Sequence, residues 1–292
     1  MIAGLQGRRR PACAALIIVA GIVAVGASLA AQQPSFSARA DYVRVDVEVR
    51  RGNAVVAGLT AADFEVLDNG VPQRVEIVAP SAFPVSVVLA LDMSASLDPK
   101  SRAHLTGAGT RVIDALKPGE SAALVTFNER VAIRSTFTAD AARLRELVAA
   151  PAPWGDTALY DAAHTAMLVG TAAPGRSIVI LFSDGEDTAS FLTEDAIVET
   201  ARRTGSVVCV VTLGGDDTLL QQLATTTGGV FLREKSLDRV AARFAEMLQR
   251  FRERYLLSFA PTGVDKPGWH KLTVRVKGGG DVRARTGYCG GS

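Results

Sequence analysis

The residues of this chain best suited to chemistry are five oxygen donors, two carboxylates and three hydroxyls: Asp92, Ser94, Ser96, Thr157 and Asp184. Hard oxygen ligands bind Mg²⁺, Mn²⁺ and Ca²⁺, whereas zinc is bound in proteins mainly by Cys and His. Two carboxylates balance the charge of a dication, and the neutral hydroxyls leave the ion electrophilic, with a water that an incoming carboxylate can displace. The set therefore predicts a divalent cation site that serves recognition, with Mg²⁺ expected first and Mn²⁺ or Ca²⁺ as alternatives.

The positions of these donors indicate that they come together in the fold. The first three directly follow residues 85–91, an apolar run typical of a parallel strand buried on both faces. Asp184 follows residues 178–182 in the same way, and Thr157 stands where a loop becomes a predicted helix. Ligands of an open α/β sheet bind beyond the carboxyl ends of the strands, where the strand order reverses. If the two strands are neighbours, as in a 3-2-1-4-5-6 order, the three loops converge.

Each donor also has a structural interpretation. Ser94 or Ser96 could cap the helix that follows, and Thr157 suits the N-cap of its own helix. Asp184 is followed by Gly185, and this pair is common in turns. Taken singly, these structural roles are favoured, but the three pieces in this order, each at a predicted strand end or helix start, favour the metal site.

The elements that must position the donors alternate between strands and helices from residue 84 to residue 253. This alternation predicts an α/β fold, a doubly wound, mostly parallel sheet of the Rossmann-like kind. The second and third strands are joined by a short turn and are expected to be antiparallel. Strands are predicted at residues 85–91, 122–127, 131–137, 177–183, 207–213 and 230–233, and helices at residues 99–116, 141–149, 158–169, 193–204, 219–226 and 236–254.

The flanking regions, residues 31–83 and residues 254–292, have β-type patterns. Apolar and charged residues alternate over 43–50, and strands are also predicted at 64–67, 71–78, 255–259, 272–276 and 282–286. The turn Asp68-Asn69-Gly70 predicts a hairpin, because two of its residues accept a positive φ. Residues 41–80 have too few apolar residues to be stable alone and need a partner surface. We therefore predict that the N- and C-terminal extensions pack into one small β unit with a shared core.

The first thirty residues have the pattern of a secretory signal peptide. A basic segment, Arg8 to Arg10, precedes an apolar run over 12–27, and small residues at 28 and 30 offer a cleavage site. We expect cleavage near Ala30 and a periplasmic or extracellular location. A retained membrane anchor is the alternative, because the run is almost long enough to span a bilayer.

Composition excludes one class of partner and leaves the cysteines undecided. Removal of the three leader arginines changes the formal net charge from +2 to −1, so no basic surface for nucleic acid is expected. Cys209 lies in a valine-rich run typical of a buried thiol, and whether it pairs with Cys289 stays open.

An enzyme is the main alternative class. The chain has three histidines, His104, His164 and His270, and contains no G-x-S-x-G, H-E-x-x-H or P-loop signature. A metal-assisted hydrolase also needs a general base beside the ion, for which the acidic turn residues Asp156, Glu186 and Asp187 are candidates. Acidic turn residues are usually only solvated, so we expect no catalysis. A scaffold held in the membrane by an uncleaved N-terminal helix is a further alternative.

The motifs also resemble those of a known family. Asp92-Met93-Ser94-Ala95-Ser96, Gly155-Asp156-Thr157 and Ser183-Asp184-Gly185 resemble the metal-ion-dependent adhesion site (MIDAS) of von Willebrand factor type A (VWA) domains. The resemblance covers roughly residues 84–253. It implies that Ser94, Ser96 and Thr157 bind the metal directly, and that Asp92 and Asp184 do so directly or through water. Asp156 stands where many relatives carry glycine, which puts the metal preference in doubt.

The flanks resemble a narrower group, the exported bacterial VWFA-related proteins. The matching segments are residues 56–66 with Asp68-Asn69-Gly70, residues 255–259, and residues 285–288. This resemblance spans nearly the whole mature chain and bears on the fold and the site more than on the ligand. From the oxygen donors we expect an exported, metal-dependent binding module whose protein partner presents an Asp or Glu carboxylate.

Overall fold

A computed structural model of the protein describes residues 42–79, 82–150, 154–184, 186–215, 218–265 and 267–291. The predicted signal peptide, residues 1–30, lies outside these ranges. Among the described residues, no helix combines the length and the apolar character that crossing a membrane requires.

Strands and helices alternate in the central part of the chain, and its two flanks consist of strands with one short 3₁₀ helix, Ala61–Asp63. The strands are β1 (Val43–Arg51), β2 (Ala54–Val55), β3 (Phe64–Asp68), β4 (Val71–Gln73), β5 (Glu76–Val78), β6 (Val85–Asp92), β7 (Ser121–Phe127), β8 (Val131–Thr138), β9 (Arg176–Ser183), β10 (Val207–Thr212), β11 (Phe231–Arg233), β12 (Tyr255–Phe259), β13 (Gly268–Val276), β14 (Asp281–Arg283) and β15 (Gly287–Gly290). The helices are α1 (Pro99–Asp114), α2 (Ala141–Ala149), α3 (Leu159–Thr171), α4 (Glu194–Arg203), α5 (Thr218–Thr227) and α6 (Val240–Arg252).

The central sheet has six strands in the order β11-β10-β9-β6-β7-β8. Its neighbours are parallel except for β8, which runs antiparallel to β7. Numbered along the chain, these strands follow the order 3-2-1-4-5-6 that the sequence suggested. The first strand, β6, and the fourth, β9, are therefore neighbours, and the order reverses between them.

Helices cover both faces of this sheet. On one face α1, α2 and α6 pack against Val87, Leu89 and Leu91 of β6. On the other face α3, α4 and α5 pack against Val88 and Ala90. Because both faces are buried, β6 is apolar almost throughout and lacks the polar alternation of a half-exposed strand.

The two flanks form the strands of a separate β unit. Its first sheet has the order β14-β1-β12-β5, with β2 paired to β1, and its second has the order β15-β13-β3-β4. Strands from opposite ends of the chain pair directly, as Val45 with Leu257 and Val66 with Val274. Both sheets contribute to one apolar core. The predicted pairing of the flanks is present, and it is divided between two sheets.

Two predicted strands of the flanks were wrong in their extent. Residues 71–78 form β4 and β5, which belong to different sheets, and residues 282–286 contain only β14 before the chain passes to β15. A period-two pattern shows which side chains are buried, but it does not show that a strand changes partner. The predicted turn before β4 is present, with φ of 47° at Asn69 and 86° at Gly70.

A buried carboxylate joins the β unit to the central domain. Glu48 of β1 accepts hydrogen bonds from Arg250 of α6 at 2.7 and 3.0 Å, and Arg254 lies 3.9 Å away. Burial alone would raise the pKa of the Glu48 carboxyl, but the hydrogen bond from Arg250 and the charges of Arg254 and Arg250 hold it below its ordinary value. The contact therefore depends on opposite charges that compensate one another away from water.

We expect Glu48→Gln to lower the free energy of unfolding by about 3 kcal/mol, because it leaves the buried Arg254 and the half-buried Arg250 without their carboxylate. Glu65→Gln is the matched control: its exposed pair with Arg275, at 3.5 Å, is worth less than about 0.5 kcal/mol. Urea denaturation measures both changes. Equal losses in the two variants would contradict the structural role of Glu48.

Candidate metal centre

The carboxylate of Asp92 is fixed at the end of β6 by hydrogen bonds to both of its oxygens. The backbone N–H of Ser94 donates to Oδ1 at 2.9 Å, and the hydroxyl of Ser183, the last residue of β9, donates to Oδ2 at 2.7 Å. Asp92 has no exposed surface (0%). The adjacent strand ends thus hold one carboxylate in a single orientation beneath the first loop.

A chain of side-chain contacts continues from this loop to Asp184. The hydroxyls of Ser94 and Ser96 lie 2.9 Å apart, and the Ser96 hydroxyl donates to Asp184 Oδ1 at 3.0 Å. The structure therefore brings together four of the five predicted donors, from two loops that are far apart in the sequence.

Backbone hydrogen bonds bring the loop of Thr157 against the first loop. The N–H of Ala95 donates to the carbonyl of Gly155 at 3.0 Å, and the N–H of Trp154 donates to the carbonyl of Met93 at 3.1 Å. These reciprocal contacts hold residues 154 and 155, which directly precede Asp156 and Thr157, against the first loop.

Thr157 itself is buried, and its backbone is hydrogen-bonded to the third loop, which follows β9 and begins at Asp184. Its N–H donates to the hydroxyl of Thr188 at 3.0 Å, and its carbonyl accepts from the N–H groups of Thr188 and Ala189 at 2.9 and 3.1 Å. The three predicted pieces of the site are thus packed loop against loop at the carboxyl edge of the sheet.

The capping roles considered for the hydroxyls are taken by other residues. Asp98 is the N-cap of α1 and accepts from the N–H of Ser101 at 2.7 Å. The N-cap position of α3 is Ala158, which has no side chain able to cap. Helix capping therefore does not explain Ser94, Ser96 or Thr157.

The charge balance at these loops is negative. Burial raises the pKa of Asp92 to about 6, against hydrogen bonds from Ser94 and Ser183 that lower it, and the like charge of Asp184 raises it further. Burial also raises the pKa of Asp184. Among the described residues, the side chains that donate to these two carboxylates are the neutral hydroxyls of Ser183 and Ser96, and neither carboxylate has a salt bridge.

This donor set fits a divalent cation better than a zinc-type cluster. The described residues contain no group of three or more His, Cys, Asp or Glu side chains that could hold a metal. Two carboxylates and neighbouring hydroxyls are instead a set of hard oxygen donors, suited to ions that retain water ligands. A dication would supply the positive charge that the described part of the protein does not place beside Asp92 and Asp184.

Ser183 was not predicted as a site residue, although it orients Asp92. Its only sequence signal is its place beside Asp184 at the end of an apolar strand, and that place does not show which side chain its hydroxyl contacts. Asp161 was also not predicted; its two oxygens accept from the N–H groups of Leu192 and Phe191 at 3.0 and 3.1 Å. This contact holds the third loop with Phe191 on the surface, 94% exposed.

The groups considered for catalysis have other contacts. Asp187 accepts from the N–H of Tyr160 at 3.1 Å and from the hydroxyl of Ser190 at 2.5 Å, so it anchors the third loop. Asp156 and Glu186 are exposed. The histidines contact residues of other regions: Asp238 for His104, Thr200 for His164, and Asp68 with Tyr288 for His270. Cys209 and Cys289 are both free thiols.

Comparison with protein families matches residues 87–186 to the von Willebrand factor type A domain. The matched segment contains the loop after β6, the loop of Thr157 and the end of β9. This part of the chain is therefore similar to von Willebrand factor type A domains. No curated protein matches the chain.

Solved structures share this fold at low sequence identity. A von Willebrand factor type A protein from Catenulispora acidiphila has a TM-score of 0.53 and 14% identity over 87% of this chain and 75% of that chain. Proximal thread matrix protein 1 from the mussel byssus, with a zinc-occupied MIDAS motif, has a TM-score of 0.53 and 19% identity over 62% of this chain and 49% of its own. A mutant PilB minor pilin from Streptococcus sanguinis has a TM-score of 0.51 and 12% identity over 59% of this chain and 62% of that chain. This chain spans about half the length of the mussel protein.

We expect Asp92→Asn to stabilise the metal-free protein by about 2 kcal/mol above pH 6, because it removes a buried charge without removing its shape. The folded-state pKa is raised, so the parent protein loses stability as pH rises from about 4 to about 6, and the variant does not. The gain should therefore be absent below about pH 4.

Urea denaturation in EDTA at acidic and alkaline pH measures this difference. Asp98→Asn, at the exposed cap of α1, is the matched control and should change stability by less than about 0.5 kcal/mol, since Asn caps a helix as well as Asp. An Asp92→Asn protein that is less stable than its parent at alkaline pH would exclude the electrostatic explanation.

Proposed function

We propose that this chain contains a von Willebrand factor type A domain, and that this domain is a divalent-cation-dependent protein-binding module of an exported protein. The proposed domain is residues 84–253, and residues 31–83 and 254–292 contribute the β unit. The observation that carries the proposal is the chain of contacts from Asp92 through Ser94 and Ser96 to Asp184. It joins a buried and a half-buried carboxylate, and no basic side chain of the described residues neutralises either of them.

The proposed ligands of the ion are the hydroxyls of Ser94, Ser96 and Thr157, with Asp92 and Asp184 acting directly or through water. Mg²⁺ is the proposed ion, with Mn²⁺ and Ca²⁺ next, because the donors are all hard oxygens. Zinc belongs in the test as well, since the mussel protein of the same fold carries zinc at its MIDAS motif. The ion would act as a Lewis acid that binds one further oxygen ligand.

The proposed partner is a protein that presents an Asp or Glu carboxylate to the ion. The exposed Phe191, in the loop that follows Asp184, supports a protein surface as the partner, because aromatic side chains are enriched at protein interfaces. We propose no nucleic-acid partner, and membrane attachment only if the N-terminal segment is retained. The leader pattern of residues 1–30 supports a periplasmic or extracellular location.

We propose that the module is not an enzyme. Of the acids considered as bases, Asp187 is engaged in loop contacts, and Asp156 and Glu186 lie exposed to water. A general base must be held within hydrogen-bond reach of the proton it removes, and no described hydrogen bond holds the side chain of Asp156 or Glu186 beside the donors. Metal-assisted hydrolysis stays the alternative function. It would be favoured if, in the presence of Mg²⁺, the parent protein hydrolyses a generic ester and the Asp184→Ala variant does not.

We expect Mg²⁺ to raise the thermal midpoint of the parent protein and to have no such effect on Asp184→Ala or Thr157→Ala. Binding to the folded state alone stabilises it by mass action, so loss of a ligand removes the shift. Asp114→Ala, which removes an exposed carboxylate of α1, is the control and should retain the full shift. Calorimetry with Mg²⁺, Mn²⁺, Ca²⁺ and Zn²⁺ ranks the ions. Equal Mg²⁺ affinity in parent and variants would refute the site.

We also expect a short peptide whose only charged side chain is one glutamate to bind the protein in the presence of Mg²⁺ and not in the presence of EDTA. The glutamate carboxylate is expected to replace a water on the ion, which requires the ion to be present. A peptide with glutamine in place of the glutamate is the matched control. NMR titration detects weak binding, and binding that is indifferent to EDTA would rule out the metal-dependent mechanism.

A further inference from the structure

We propose that the partner of the metal centre carries a second acidic residue, and that its carboxylate lies between Arg130 and Arg134 in a groove beside the ion. This inference rests on the proposed function, since it concerns the same partner. It commits to an acidic peptide segment as the occupant of the groove, on the basis of charge complementarity.

The groove adjoins the metal loop directly. It has a volume of about 390 Å³, and its walls include Met93, Trp154, Arg130, Ala132 and Arg134. Met93 follows Asp92 in the chain, and its carbonyl accepts a hydrogen bond from Trp154. An extended segment that binds the ion through one carboxylate can therefore pass into the groove within a few residues.

Two arginines give this groove a positive charge. Arg130 lies over the ring of Trp154, 5.4 Å from the ring centroid, and its side chain is 78% exposed. Arg134 is exposed on β8, at the edge of the sheet, and forms no ion pair with a described residue. Arg130 does pair with Glu129, but the two are 3.9 Å apart and exposed, so the pair has little strength. The two arginines thus leave the groove with a net positive charge.

Acidic side chains are also exposed at the metal loops, Asp156 and Glu186. An acidic segment is repelled by these carboxylates and attracted by the two arginines of the groove, so the charges favour a path that follows Arg130 and Arg134 on the β8 side. Complementary charges of this kind act mainly on specificity and on the rate of association.

Trp154 supplies the apolar part of the groove. It is 45% exposed, and its backbone N–H donates to the carbonyl of Met93, which anchors its backbone to the metal loop. Tryptophan and arginine are among the residues most often found at energetic centres of interfaces. The methylene groups of a glutamate can pack on this ring while its carboxylate meets the arginines.

The experiment compares three peptides of equal length on the full chain in saturating Mg²⁺. One has a single glutamate, one has two glutamates at varied spacing, and one has glutamine in place of the second glutamate. The indole N–H signals of Trp154 and Trp269 in ¹⁵N NMR give a reporter in the groove and a reference in the β unit. We expect the second glutamate to tighten binding roughly fivefold to tenfold, to shift Trp154 and not Trp269, and to lose its effect at high salt.

The double variant Arg130→Gln/Arg134→Gln should bind both glutamate peptides equally and retain its Mg²⁺ affinity. Arg111→Gln/Arg275→Gln removes the same charge elsewhere on the surface and should retain the preference. The inference would be overturned if the second glutamate does not tighten binding to the parent, or if it still tightens binding to the Arg130 and Arg134 variant. It would also be overturned if an apolar residue at the second position tightens binding more than glutamate does. If the single-glutamate peptide fails to bind in Mg²⁺, the proposed function fails and the inference falls with it.

Discussion

The parallel pairing of β6 with β9 is the constraint on which the site depends. Leu91 lies opposite Phe182, so the next residues along the two strands, Asp92 and Ser183, meet where both strands leave the sheet. The hydrogen bond between them, at 2.7 Å, reports this register. A shift of one residue would move polar ends into the core and apolar residues to the edge. Helices on both faces oppose such a shift, because the apolar side chains of β6 already have apolar neighbours.

The same pairing creates an electrostatic cost. Within the described part of the chain, Asp92 is removed from water without a basic partner, and a second carboxylate, Asp184, is linked to it through two serines. Elsewhere the chain compensates a buried acid, as Glu48 is compensated by Arg250. The two buried acids therefore differ in whether a described basic side chain compensates their charge. Glu48 connects two parts of the fold, whereas Asp92 is left with a charge that a ligand from solution can balance, at the expense of stability.

Much of this fold could be predicted because its periodic signals are strong. The apolar strands, the amphipathic helices and the turn at Asn69 and Gly70 are local properties, and the structure confirms them. The exact extent of strands in the β unit could not be predicted. Residues 71–78 change sheets within one apolar pattern, because two sheets share a core and the chain bends between Gln73 and Glu76 to serve both. Such a bend is set by distant partners.

For the site, the types of the donors and their places at strand ends were determined by the sequence alone. Oxygen chemistry and the rule that ligands meet the carboxyl edge of a parallel sheet suffice for that. Tertiary structure decided the rest: that Ser183 orients Asp92, that Asp98 and not Ser94 caps α1, and that Arg134 of β8 lies beside the metal loop. These are contacts between residues far apart in the chain or choices among equivalent local partners. Local pattern carries no information on them, since only the packed sheet brings the competing groups into contact.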